Sequence, residues 1–188
     1  MTVTLNSPTP AAGTRIAGLG HYRPERVVTN DDLAQVIETN DEWIRSRVGI
    51  AERHYAADDE TVDAMGARAG RAALADAGID AGEIDTVITA TCTLEAPIPH
   101  ASTRIASALG IHAPGTFDVN AACAGFCYGL AVASHAVRTG NARNVLLVGS
   151  EKLTSWVDPQ DRANAIIFGD GAAAAVITAA ETEQIGPI

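Results

Sequence analysis

Cys123 stands in the stretch DVNAACAGF, residues 118–126, where the short strand pattern TFDVN gives way to a helical one. The thiolate is the nucleophilic form of cysteine, and the unpaired N–H groups and positive dipole end of a helix N-terminus favour it. Its neighbours Ala121, Ala122, Ala124 and Gly125 are small enough for a thioester to reach the sulfur. A backbone N–H of the same turn is suitably placed to receive an oxyanion. Those features suit a cysteine that carries an acyl group. The other reading of the same residue is a small core side chain, because free cysteine is among the most buried residue types.

The surrounding pattern must position that residue. TRIAGLG reads as a buried strand, and YRPERVVTN as a loop that closes on a helix N-cap at Asn30 or Asp31. DDLAQVIETN is then a short helix. Asp41 could cap a second one, DEWIRSRVGI, in which Trp43 and Arg47 are one turn apart and share a face. Residues 61–77 have alanine-rich helical periodicity ending at Gly78, and residues 84–91 are a β-branched strand. After the loop EAPIP come the helix ASTRIASALG and the strand TFDVN. The helix over residues 124–139 is apolar or small on nearly every side, so burial all round is expected. NVLLVGSE is the next strand, and DRANAIIFGDGAAAAVITA gives a helical turn, a glycine turn and a last strand. Strands alternating with helices imply an α/β fold with right-handed crossovers. Residues 1–13 are expected to be a flexible tail without a secretory signal, and residues 14–188 a single unit.

Bulk properties narrow the function classes. The chain has 188 residues, and its 47% hydrophobic content with only 4% aromatics implies small, closely packed elements of the kind found in buried parallel sheet. A formal charge of −10 without any Lys/Arg run argues against nucleic-acid and membrane partners. No apolar stretch approaches the ~20 residues of a membrane span. Three cysteines without framework spacing fit a reducing cytoplasm.

NAACAGF, TNDDL, DEWI, NVLLVGSEKL and DPQDRANAIIFGDGAAAAV together resemble the N-terminal half of the β-ketoacyl-acyl-carrier-protein synthase III family, condensing enzymes of the thiolase fold. The likeness runs from about Thr14 to the C-terminus with the motifs in family order. It implies a mixed five-stranded sheet with helices packed on it, one half of a layered α/β/α/β/α whole. It also implies that Cys123 takes a short acyl group from coenzyme A and joins it to malonyl-acyl carrier protein with loss of carbon dioxide. The product would be a 3-oxoacyl-acyl carrier protein, opening fatty-acid or polyketide synthesis.

By the same resemblance Trp43 and Arg162 sandwich the adenine of coenzyme A, and Arg47 meets its phosphates. Taken alone, Trp43 reads as a helix anchor and each arginine as a solvated charge. Ile98 is implied to reach across a dimer interface into the acyl pocket of a second copy, and Phe126 to line the pocket as well. Many family members have an aromatic at the position of Ile98, so isoleucine implies a changed pocket shape. As a loop residue Ile98 reads equally as an anchor between Pro97 and Pro99. The implied partners are acyl-coenzyme A as substrate, malonyl-acyl carrier protein and a second copy in a homodimer, with no permanently bound cofactor and no metal.

The family's condensation step uses a histidine and an asparagine from its second half, and the family continues for a comparable length beyond EQIGPI. His21, His54, His100, His112 and His135 stand in none of those contexts and read as surface or loop residues. An acyltransferase of a secondary-metabolite pathway would share these motifs, and so would a non-catalytic half-fold subunit that pairs with a partner chain. Cys127, one turn after Cys123, and Cys92, at a strand end, are expected to pack in the core. Asp170 is expected in a tight turn. Gly18 and Gly20 are only a fragment of a dinucleotide fingerprint, with no helix directly after them.

Overall fold

Runs of β-branched and small residues become the strands of one sheet in the computed structural model, which describes residues 10–186. The elements are β1 (Gly13–Tyr22), β2 (Arg26–Thr29), α1 (Asn30–Ala34), α2 (Asp41–Val48), β3 (Glu52–Tyr55), α3 (Val62–Ala77), β4 (Thr86–Ala90), α4 (Ala101–Leu109), β5 (Gly115–Val119), α5 (Gly125–Arg138), β6 (Asn144–Lys152) and β7 (Asp170–Ala180). Five of the strands form a mixed sheet in the order β1-β7-β6-β4-β5. β4 runs parallel to β5 and β6, while β7 is antiparallel to β6 and β1.

Period-two alternation divides the central strands between two cores. Leu146, Val148, Ala174 and Val176 face α3 and α4, whereas Val145, Leu147, Ala175 and Ile177 face α5. Burial on both faces explains why these strands read as continuous apolar runs. The glycines of β1 serve helix packing: a Cβ at Gly20 would lie 2.3 Å from both Ala69 O and Ala73 N of α3. Strand and helix backbones therefore touch there.

The first thirty residues of sequence after β1 fold differently from the expected loop and two helices. Thr29 caps α1, its hydroxyl accepting the Asp32 N–H while the Asp32 carboxylate accepts the Thr29 N–H. That places the cap one residue before Asn30, and α1 stops after five residues. Asn40 caps α2 by accepting the Trp43 N–H at 2.8 Å, so Asp41 is the first helical residue instead of the cap. Within the expected loop, β2 pairs antiparallel with β3. The inward position of β3 opposite Val28 is Arg53, so this ribbon has no apolar alternation to betray it.

α5 departs from burial all round. Gly125, Gly129, Ala133, Ser134 and Val137 face the sheet, but Cys127, Tyr128 and Val132 are exposed. Cys127 is accordingly no core residue; the sheet covers only one side of its helix. Of the expected tail, residues 1–9 lie outside the described residues, and the Ala11 N–H donates to Arg138 O at 3.1 Å.

Candidate active site

Cys123 is the middle residue of a 3-10 turn, Ala122–Ala124, inserted between β5 and α5. Ala122 is held at φ +46°, a left-handed conformation that costs a non-glycine residue energy and turns the next side chain outward. Neither the turn nor α5 receives a side-chain cap at its N-terminus. The Ala124 N–H closes the turn on Ala121 O at 3.1 Å and the Gly125 N–H closes it on Ala122 O, while the N–H groups before them precede any intrahelical acceptor. Gly125 lets the turn sit against the end of β4, because a Cβ there would come within 3.2 Å of Ala90 Cβ. The thiol is exposed, which removes the core reading.

A cavity of about 520 Å³ opens beside it, lined mainly by small and apolar groups that include Phe126, Leu153 and Phe168. Its single charged lining residue, Glu151, is turned into the wall. One carboxylate oxygen accepts the Cys92 N–H at 2.8 Å, and the other accepts the hydroxyls of Thr91, at 3.2 Å, and Thr93. The charge is thereby spent on fixing the chain that leaves β4. Cys92 lines the same cavity, at its wall instead of in the core where its strand-end position pointed. Burial, and then the Glu151 carboxylate, push the Cys92 thiol pKa up. Two thiols thus face one apolar cavity, and the surroundings of Cys92 disfavour its thiolate.

Trp43, Arg47 and Arg162 also come together. The Arg162 guanidinium carbon lies 4.1 Å from the centroid of the Trp43 ring and that of Arg47 lies 5.8 Å away, both in cation–π range. Trp43 rests on a small core of its own, built from Val28, Leu33, Ile37, Ile44, Ala165 and Ile166. The sandwich is closed: Arg162 stacks directly on the indole. A flat base between them requires the gap to open to about 7 Å, twice the ~3.5 Å contact distance of stacked planes.

The family model for 3-oxoacyl-[acyl-carrier-protein] synthase III matches residues 117–188, which contain the cysteine turn and the last strands. A β-ketoacyl-[acyl-carrier-protein] synthase III of Streptomyces avermitilis is 47% identical over 179 residues, 94% of this chain and 57% of that protein. The mycobacterial counterpart from Mycolicibacterium paratuberculosis is 49% identical over 172 residues, 92% of this chain and 51% of its own. Among solved structures, the priming β-ketosynthase of the R1128 polyketide pathway superposes with a TM-score of 0.93 at 43% identity, covering 97% of this chain and 55% of that one. The synthase III of Aquifex aeolicus gives 0.87 at 41% identity, with 90% and 55% covered. The chain belongs to the β-ketoacyl-acyl-carrier-protein synthase III family.

Its sheet has the thiolase fold of those enzymes, and the chain spans about half the length of the curated relatives it matches. Cys123 and Phe126 share the cavity, while Trp43, Arg47 and Arg162 form the separate stack. Ile98 belongs to neither, standing 79% exposed on the loop between β4 and α4. Among the described residues no histidine lines the cavity. Among the described residues no three His, Cys, Asp or Glu side chains stand together as metal ligands, and no helix is long and apolar enough to cross a membrane. Asp170 lies in no tight turn: it opens β7 and staples it, accepting the N–H groups of Ala56 and Thr154 and the Thr154 hydroxyl. Sequence reasoning missed Glu151; a lone acid after an apolar strand, NVLLVGSE, was the available signal.

Proposed function

We propose that the chain supplies the acylating half of a ketosynthase III. The observation that carries this reading is the exposed Cys123 on an uncapped, strained turn at an apolar cavity. In the first step the Cys123 thiolate attacks the carbonyl carbon of an acyl-coenzyme A. A new carbon–sulfur bond forms, the bond to coenzyme A breaks, and coenzyme A leaves as a thiolate that takes up a proton. A backbone N–H of the turn receives the transient oxyanion. Trp43 and Arg162 part to take adenine between them, and Arg47 meets the phosphates. Coenzyme A is a substrate here, not a resident cofactor.

In the second step malonyl-acyl carrier protein loses carbon dioxide. The enolate carbon attacks the Cys123 thioester and expels the thiolate, giving 3-oxoacyl-acyl carrier protein. The groups that stabilise this enolate come from the remainder of the fold, as the family resemblance implies. That remainder covers the exposed side of α5. The enzyme works as a cytoplasmic homodimer: β5 is a sheet edge with Phe117 37% exposed, ready to pair with a second copy, and the neighbouring Ile98 reaches into that copy's cavity. The free thiols of all three cysteines fit a reducing compartment. A polyketide-priming role shares this geometry and is favoured by the likeness to the R1128 ketosynthase.

Mass spectrometry after exposure to acetyl-coenzyme A tests the assignment. One acetyl adduct is expected on the intact enzyme and none in Cys123→Ala, which also releases no labelled bicarbonate from malonyl-acyl carrier protein above a mock reaction. An adduct that survives Cys123→Ala overturns the reading. A panel of acyl-coenzyme A primers decides between the fatty-acid and polyketide roles.

A further inference from the structure

Arg53 is only 5% exposed, and among the described residues no carboxylate pairs with its guanidinium. Burying a cation without a counter-charge is costly, and burial pushes its pKa down. The group is met instead by three oxygens from three segments. Nη1 donates to Val28 O of β2 at 3.1 Å, and Nη2 donates to Asn30 Oδ1 at 2.8 Å and to Ile166 O at 3.0 Å. Among the described residues its Nε has no partner.

Asn30 carries the link onward. Its Nδ2 donates to Asp41 Oδ1 and to Ile50 O, both at 2.8 Å, so it spans α2 from its first residue to the residue beyond its C-cap. Trp43 stands on that helix. Ile166, at the other end of the chain of bonds, lies four residues after Arg162 in the same turn segment and packs in the core beneath Trp43. Arg53 and Asn30 together thus connect the foundation of the indole to the foundation of the guanidinium that stacks on it. An aliphatic side chain would fill this small core as well, but it has no fork of donors with which to fix two backbones in register.

We propose that Arg53 is a positioning residue for nucleotide binding, which with Asn30 sets the alignment of the Trp43 and Arg162 jaws. The inference rests on the adenine-clamp reading above. Its test compares Cys123 acylation by acetyl-coenzyme A with acylation by acetyl-pantetheine, which lacks the nucleotide, in the intact enzyme. Arg53→Met and Asn30→Ala should each raise KM for acetyl-coenzyme A about tenfold, as a misaligned binding group does, and leave the acetyl-pantetheine reaction at its wild-type rate. Arg53→Lys, which restores a donor, should recover part of the loss. Equal losses on both thioesters would show a merely structural role, and an unchanged KM for acetyl-coenzyme A would remove the role altogether; either overturns the proposal. Should Arg53→Met fail to fold, Asn30→Ala decides alone. Trp43→Ala serves as the reference. If it leaves KM for acetyl-coenzyme A unchanged, the clamp itself is refuted and the positioning role with it. If it raises KM while Asn30→Ala and Arg53→Met do not, the positioning role alone is wrong.

Discussion

α3 and α5 cover opposite faces of one sheet with helices of 16 and 14 residues, both rich in alanine and glycine, yet their outer sides differ in kind. The outer side of α3 carries Arg68, Arg71 and Asp76. Arg68 pairs with Glu60 at 3.0 Å, and Asp76 accepts the N–H of Leu19 from the edge strand β1. That is a finished water-facing surface, and it blunts a sheet edge as well. The outer side of α5 carries Cys127, Tyr128 and Val132, with Tyr128 57% and Val132 42% exposed. An apolar helix face of that kind favours association. Similar composition therefore hides a difference: α3 presents charge to solvent, whereas α5, which begins at the cysteine turn, leaves apolar side chains bare over its first two turns.

The contrast starts at the sheet, and the largest expected effects lie there. A Cβ at Gly20 would meet the backbone of α3 at 2.3 Å, where nothing can yield. A Cβ at Gly129 of α5 would meet Leu147 Cδ1 at 2.6 Å, the far end of a side chain that can turn away. Gly20→Ala should cost about 3 kcal/mol or more, and Gly129→Ala about 1 kcal/mol. Thermal unfolding of the two variants measures the difference. Equal losses would mean that α3 is seated no more tightly than α5.

On the outer sides the order reverses. Residues 1–188 produced alone are expected to associate through α5. Tyr128→Ser and Val132→Ser should each weaken that association by about 1–2 kcal/mol, the worth of one buried apolar side chain. Arg71→Ser on α3 should leave it unchanged. Sedimentation velocity at several concentrations reads the outcome, and a monomeric wild-type chain would contradict the assignment of α5 to an interface.

Much of this was legible before any coordinates. α3 was readable from Thr61 to Gly78 because cap, apolar period and left-handed stop agree, and the chain folds that way. The exposed cysteine turn was readable because small residues flank a cysteine at a strand-to-helix break. Other features left no trace in the pattern. The β2–β3 ribbon was hidden because its inward pair is Val28 and Arg53, a combination that no apolar period registers. The bare side of α5 was hidden because composition reports that a helix is apolar without reporting what covers it. Residue type alone likewise could not show that Arg162 closes directly on Trp43, which is a matter of 4.1 Å.

The three thiols grade the environment from the start of α5 outward. At neutral pH iodoacetamide should label Cys123 first, at the uncapped turn, and Cys127 at the rate of an ordinary exposed thiol. Cys92 should react about tenfold more slowly than Cys127, since burial and the Glu151 carboxylate disfavour its thiolate. Its labelling should accelerate only as the pH rises toward its elevated pKa. Peptide mapping over time separates the three, and a Cys92 that keeps pace with Cys127 at neutral pH would show that Glu151 does not hold it protonated.

The smallest expected effect concerns the return of α5 to the sheet. The Asp85 carboxylate accepts the N–H groups of Arg143 and Asn144 at 2.7 and 3.2 Å and a guanidinium N–H of Arg143 at 3.3 Å, closing the turn that leads into β6. Burial alone would push its pKa up, but the bonds from Arg143 and Asn144 outweigh it and hold the pKa below the usual carboxylate range. A carboxyl group whose pKa is lower folded than unfolded stabilises the fold above its unfolded pKa, and that stabilisation fades as the pH falls through the folded one. With its side chain 30% exposed, solvent screening limits the contribution to less than about 1 kcal/mol. Urea unfolding of wild type and Asp85→Asn should show a difference at pH 7 that shrinks on acidification, because the carboxylate contributes only while it is charged. A difference that stays constant with pH would assign the effect of the substitution to packing at this turn and leave the Asp85 charge without a part in seating α5.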